Sequence, residues 1–148
     1  HVVKMILETA QLLCGVHHVT AHDTAHDTAH DTAHDTVQVP YKLSHKNHPC
    51  SIWARESLSN YLYLCELGLE LCKEYTYRYG KRHKSQDVIE WCLVNRPNIK
   101  DIDFTTPPLA MPDGYKEMCH VQSYRNYYMG EKRSFSTWKN AEIPAWFI

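Results

Sequence analysis

Apolar residues recur at three- and four-residue steps along most of this chain, and that spacing predicts helices. Over 1–14, Val2, Val3, Ile6, Leu7, Ala10, Leu13 and Cys14 follow the pattern, with Lys4, Glu8 and Gln11 on another side. Gly15 is expected to stop this helix. The strongest signal covers 50–79. Trp53, Tyr61, Leu64, Leu67, Leu71 and Tyr75 trace one stripe, widened by Leu58, Leu62, Cys65, Leu69 and Cys72. It reads as one long helix of about 45 Å at 1.5 Å per residue. Pro49 suits its first turn, where a missing N–H costs nothing, and Gly80 suits its C-terminal cap. Gly68 inside it marks a weak point or a close packing contact.

Two shorter helices are predicted over 85–95 and about 116–132. Ser85 is the expected N-cap of the first, with Val88, Ile89, Trp91 and Cys92 on its apolar side. In the second, Val121, Tyr124, Tyr127 and Tyr128 are expected to face inward. Pro97, Pro107, Pro108, Pro112 and Gly114 make 96–114 a long loop. Residues 37–49 read as a connector. The tail carries Phe135, Trp138, Ile143, Trp146 and Phe147 and is expected to pack back on the core. The fold class is therefore all-α: a compact single-domain helical bundle over 1–148, with one long central helix and a long Pro-rich loop.

Residues 21–36 are AHDT repeated four times, and 20–37 reads as an inserted loop. Asp and Thr compete for backbone hydrogen bonds, and the repeat has no apolar face to bury. Its histidines offer a different chemistry. His18, His22, His26, His30 and His34 lie four apart, and such pairs bind Zn²⁺ or Ni²⁺. A regular repeat builds no single closed site, so weak multi-site divalent metal binding is the expectation. No cofactor is expected to be required.

Charge adds one point. The formal balance is −1, but setting aside the four repeat aspartates leaves 16 cations against 13 acids. The body is mildly basic, which permits contact with nucleic acid. The 10 tyrosines suit half-buried positions and partner surfaces. None of the six cysteines forms a C-x-x-C pair, and Cys65 and Cys72 share a helical face, so buried free thiols of a reducing compartment are expected. No apolar run approaches the roughly 18 residues of a membrane span. No phosphate-binding glycine loop, nucleophile elbow, H-E-x-x-H or zinc-ribbon spacing is present, which leaves nucleotide hydrolysis and familiar hydrolase chemistry unsupported.

Three stretches carry a resemblance: HVVKMILETAQLL (1–13), YKLSHKNHPCSIWARES (41–57) and SYRNYYMGEK (123–132). They look like a family of small phage proteins of unassigned function, in which a short segment is expected ahead of His1. More remotely, the layout is similar to the phage pyrimidine-dimer DNA glycosylases. The family's His seven residues before a catalytic Glu is matched by His1 and Glu8, and its Asn-His step by Asn47-His48. Its Tyr-rich basic segment is matched by Tyr124, Arg125, Tyr127, Tyr128 and Lys132. The resemblance implies an all-helical domain that acts on double-stranded DNA at cyclobutane dimers, in the cytoplasm of an infected cell. Glu8 would be the catalytic carboxylate, and His1, His48, Arg82, Lys84, Arg125, Lys132 and Arg133 would meet DNA. The chain also departs from that family. The nucleophile there is the α-amino group of a mature N-terminus ahead of this helix, and arginines flank the Glu where Leu7 and Thr9 stand here.

Two rival readings accompany it. One is a non-enzymatic phage structural or interaction protein that uses a Tyr-rich surface for a protein partner or self-association. The other is a metal-binding protein built on the His repeat.

Overall fold

The computed structural model describes residues 1–25 and 38–148, with side chains described outside 22–37. Helix α1 (Val2–Ala25) is followed by α2 (Pro49–Glu56), α3 (Leu58–Tyr79), α4 (Gln86–Val94) and α5 (His120–Glu131). Short 3₁₀ turns stand at Asp113–Tyr115, Arg133–Phe135 and Ala145–Phe147. No strand occurs among the described residues, and the all-α expectation holds.

Helices α1 to α4 share one core. Ile6, Ala10, Leu13 and Cys14 of α1 meet Tyr61, Leu64, Cys65, Cys72 and Tyr75 of α3, Val88, Ile89 and Cys92 of α4, and Trp53 of α2. Full burial of each large apolar side chain contributes roughly 1.5–3 kcal/mol. Gly68 is a packing contact rather than a weak point. A Cβ there would stand 2.9 Å from both Ile89 Cδ1 and Thr9 Cγ2, so α1 and α4 close on α3 only where a side chain is missing. Among the described residues, no helix is long and apolar enough to cross a membrane.

Several boundaries differ from the sequence expectation. Helix α1 does not stop at Gly15 but runs on to Ala25, through the whole first AHDT unit, so 20–25 is helix rather than the expected inserted loop, and 26–37 lies outside the described residues. Glycine in a helix costs only about 1 kcal/mol relative to alanine, and buried Val16 beyond it supplies packing that offsets this. The single helix expected over 50–79 is two helices. Ser57 takes extended backbone (φ −147°, ψ 149°), and its Oγ accepts from Asn60 N at 3.0 Å to cap α3. The C-terminal end is as expected, with Gly80 left-handed at φ 65° and its N–H donating to Thr76 O. Ser85 precedes α4 but does not cap it with its side chain. Its Oγ pairs with Tyr41 OH at 2.8 Å instead, tying the connector to the bundle. Helix α5 begins at His120, not 116, and Val121 on it is 43% exposed rather than inward.

The Pro-rich loop is held by one buried amide. Asn60 Nδ2 donates to Trp53 O (3.0 Å) and Thr105 Oγ1 (2.8 Å), while Asn60 Oδ1 accepts from Thr105 N (2.9 Å). Trp53 Nε1 completes the link by donating to Thr105 O at 3.0 Å.

All six cysteines are free thiols, and Cys14, Cys65, Cys72 and Cys92 are buried. Burial pushes the Cys65 thiol up to about 12 and the Cys72 thiol up to about 11. Cys65 and Cys72 are therefore core hydrophobes rather than nucleophiles, whereas Cys50 is half-buried and Cys119 exposed, against the expectation of buried thiols.

A polar chain crosses the same core. Tyr61 OH donates to Cys92 O at 2.7 Å, so it receives the N–H of His17 Nε2, 2.8 Å away. Burial, reinforced by the neighbouring His18, lowers the His17 pKa from 6.5 to about 4. In the unfolded chain His17 takes up a proton as pH falls through about 6.5, whereas in the fold it stays neutral until about 4. The fold therefore loses stability as pH falls across that window and keeps it above. Urea midpoints measured from pH 7 to 4 are expected to fall, and to fall less steeply in His17→Gln.

Candidate nucleic-acid interface

Helix α5 and the segment after it lie against the start of α1 and the end of α3, joined through large side chains. Tyr124 OH donates to Pro108 O at 2.8 Å and fixes α5 to the Pro-rich loop. One turn on, Tyr128 meets the His1 ring edge-on at 5.7 Å, and His1 also lies 5.9 Å from Phe135. Burial raises the Tyr128 phenol above its ordinary value, helped by Tyr124, Tyr127 and the Glu8 carboxylate. Tyr128 thus joins α5 to the start of α1, and Glu8 contributes its charge to this locality. The Glu8 side chain is 41% exposed, and Lys4 Nζ lies 3.5 Å from its Oε1.

Around this point cations stand over aromatic rings. Arg125 lies 5.5 Å from the Trp146 ring, and Arg133 5.5 Å from Phe147. Lys132 lies 4.9 Å from Tyr127 and 5.6 Å from Phe135. Arg78 stands 5.3 Å from Trp138, and Lys139 5.9 Å from Tyr79. The rings of Trp138, Trp146 and Phe147 meet one another edge-on at 5.2–6.4 Å. The tail thus builds an aromatic cluster of its own, fixed to α3 where Asn140 Nδ2 donates to Arg78 O at 2.8 Å. Cation–ring pairs of this kind are worth roughly 0.5–2 kcal/mol each and hold both partners in place.

The sequence-predicted residues fall into three groups. His1, Glu8, Arg125, Lys132 and Arg133 belong to the locality just described, or to the cation–ring pairs around it. His48 has a structural task at the start of α2, where its Nδ1 accepts from Cys50 N at 3.1 Å. Arg82 stands at the α3–α4 corner between the carboxylates of Asp87 and Glu90, which offset its charge. Lys84, exposed, follows in the same corner. His18 is engaged too, its Nε2–H donating to Tyr41 O at 2.8 Å. The side chain of His22, and His26, His30 and His34 altogether, lie outside the described residues. Among the described residues no group of three His, Cys, Asp or Glu side chains is placed to hold a metal ion.

Arg78, Lys139 and Trp138 were not among the sequence candidates. A signal for Arg78 existed: it follows Leu71 by seven residues and Tyr75 by three, a cation on the apolar stripe of α3. Only a nearby ring or anion makes that position tolerable.

No known protein family, curated protein or solved structure matches this chain.

Proposed function

We propose that this protein binds double-stranded DNA through the surface formed by the start of α1, α5 and the C-terminal segment, as a repair-type protein whose reactive carboxylate is Glu8. The observation that carries this reading is the interleaving of Arg125, Lys132 and Arg133 with aromatic rings on α5 and the C-terminal segment, which Tyr128 joins to the start of α1 through the His1 ring. Fixed guanidinium and ammonium groups neutralise phosphates, and rings beside them give surfaces for a base or sugar. The setting is the cytoplasm of an infected bacterial cell, if the phage resemblance is followed.

The chemistry follows from the resemblance. An unprotonated amine attacks the C1′ carbon of a damaged nucleotide, the glycosidic bond breaks, and the base leaves with the bonding pair. The amine loses a proton to the departing base, its lone pair then opens the C1′–O4′ bond, O4′ takes up a proton, and the C1′=N Schiff base holds the opened sugar. Glu8 stabilises the positive charge that develops at the sugar and then takes a proton during elimination. The side-chain amine beside it is Lys4 Nζ.

Borohydride traps a Schiff base by adding hydride to its carbon, which leaves a stable secondary amine. With a duplex carrying one cyclobutane thymine dimer, a covalent adduct is expected, and peptide mass spectrometry identifies the amine. In Glu8→Gln the adduct yield is expected to drop by about a hundredfold or more. Equal yields in both proteins would remove Glu8 from the mechanism.

A second reading has its own observation. Met118 is fully exposed, and Phe104 and Val121 are 41% and 43% exposed. This apolar surface suits a protein partner or a second copy of the chain. Sedimentation equilibrium decides whether the chain self-associates through it: a dimer dispersed by Met118→Glu favours this reading, and a monomer at all concentrations removes self-association.

A further inference from the structure

We propose that Cys14 and Cys92 are a redox pair: on exposure to hydrogen peroxide they close a disulfide that staples α1 to α4. Both belong to the core of α1 to α4, of which α5 is no part, so the device does not depend on DNA binding.

The two sulfurs lie 4.0 Å apart, on helices that bring together residues 78 positions apart in sequence. Contacts on either side of the pair hold α1 and α4 in step. His83, just ahead of α4, reaches Val3 O with its Nε2 at 3.2 Å. A Cβ on Gly68 would meet Thr9 of α1 and Ile89 of α4 at the same 2.9 Å. Beyond the thiols, the rings of His17 and Trp91 stand 5.0 Å apart, and Tyr61 OH holds the Cys92 carbonyl at 2.7 Å. A disulfide brings its sulfurs to about 2.05 Å, so each needs to travel only about 1 Å.

The two thiols are not equivalent. The Cys92 S–H donates to the Cys14 sulfur, which draws the Cys14 thiol below its ordinary range and holds the Cys92 thiol above it. Burial opposes this at Cys14, and the Tyr41 backbone adds to it. Cys14 is therefore the attacking sulfur. Its thiolate attacks one peroxide oxygen: an S–O bond forms, the O–O bond breaks, and the departing hydroxide takes the proton that Cys14 released. The Cys92 sulfur then attacks the sulfenic acid on Cys14. The S–S bond forms, the S–O bond breaks, and the second hydroxide leaves with the Cys92 proton. Two thiols give up two electrons, and one peroxide becomes two waters.

Both sulfurs are buried, so the oxidant needs a way in. The connector supplies it. It lies over α1 at Gly15, where Leu43 and Ser44 close on the helix. Two hydrogen bonds of 2.8 Å hold it down, one from His18 Nε2–H to Tyr41 O and one between Tyr41 OH and Ser85 Oγ. Lifting this strap uncovers Cys14 without unfolding the bundle.

The test exposes the full chain carrying Cys50→Ser and Cys119→Ser, which leaves only the four buried thiols, to hydrogen peroxide under native conditions. The monomer is expected to lose the mass of two hydrogens, and its digest to contain one linked pair of peptides, Cys14 with Cys92, released by dithiothreitol. The thermal midpoint of the oxidised chain is expected to lie about 10 °C above that of the reduced one, because the link closes a long loop. Tyr41→Phe removes one tie of the strap, so the same link is expected to form about fivefold faster. A link through Cys65 or Cys72, oxidation to sulfinic acid with no link, or a link that forms only after the chain is unfolded would overturn the proposal. So would an oxidised chain no more stable than the reduced one, or an unchanged rate in Tyr41→Phe.

Discussion

Asn60→Leu is expected to lower the unfolding free energy by about 3 kcal/mol. The substitution puts an apolar side chain with the same branching in place of a fully buried amide, so it opens little space. What it removes is the set of partners. The Trp53 carbonyl loses its link to the Asn60 amide in the interior, and Thr105 loses hydrogen bonds to both its N–H and its Oγ1. A buried polar group left unpaired costs about 1–3 kcal/mol, more than a formed hydrogen bond contributes. The loss is expected to spread along the chain. Thr105 also accepts from Trp53 Nε1, and Phe104 beside it packs on Trp53 and Tyr63 at 5.8 and 5.0 Å. Urea unfolding gives the free energy. Amide exchange is expected to quicken at Thr105 before it quickens in α1. A change below 1 kcal/mol would mean that packing, not this amide, orders the loop.

The combined substitution Arg125→Gln, Lys132→Gln and Arg133→Gln is expected to weaken duplex DNA binding by about a thousandfold near 0.1 M salt. Each cation that neutralises a phosphate releases about 0.9 of a counterion, worth roughly a factor of ten at that salt concentration. The same change is expected to flatten the salt dependence by about one unit of slope per residue. Loss of cation–ring contacts with Trp146, Tyr127 and Phe147 is a separate effect, read from the thermal midpoint of the free protein. Arg82→Gln serves as the contrast. Two carboxylates already offset its charge, so its effect on affinity is expected to stay within about threefold. Equal losses from Arg82 and from the triple set would mean that binding follows net charge rather than this surface.

What the sequence displays most clearly is what periodicity can carry. The stripes on 1–14 and 58–79 become the central pair α1 and α3, because apolar residues at helical spacing bury together whatever surrounds them. The end at Gly80 is equally plain, since a left-handed cap favours glycine. The break at Ser57 is hidden, because Trp53 and Tyr61 continue one apolar pattern across it. It becomes visible only once Leu58 N is seen donating to Lys100 O at 2.8 Å, forty-two positions away. The extension of α1 past Gly15 is hidden for a related reason: the packing that offsets glycine comes from other elements.

The site divides in the same way. The His1–Glu8 spacing and the basic tyrosine segment can be read directly, because they are local. That Tyr128 meets the His1 ring joins residues more than a hundred positions apart, and no local pattern announces it. In the sequence Ser85 reads as a helix cap and His48 as a DNA contact, and no pattern singles out Asn60. Their partners make Asn60 a loop anchor, Ser85 a tyrosine partner and His48 a cap. A polar side chain takes its role from what it meets across the fold, and that is the part a one-dimensional pattern leaves open.

The central claim is that this surface binds the DNA backbone, and the most direct test is the affinity of the unaltered chain for a short duplex across a range of salt. The account predicts measurable binding whose logarithm falls linearly with the logarithm of salt concentration, at a slope of about −3 or steeper. No binding at low salt, or a slope near zero, would contradict it.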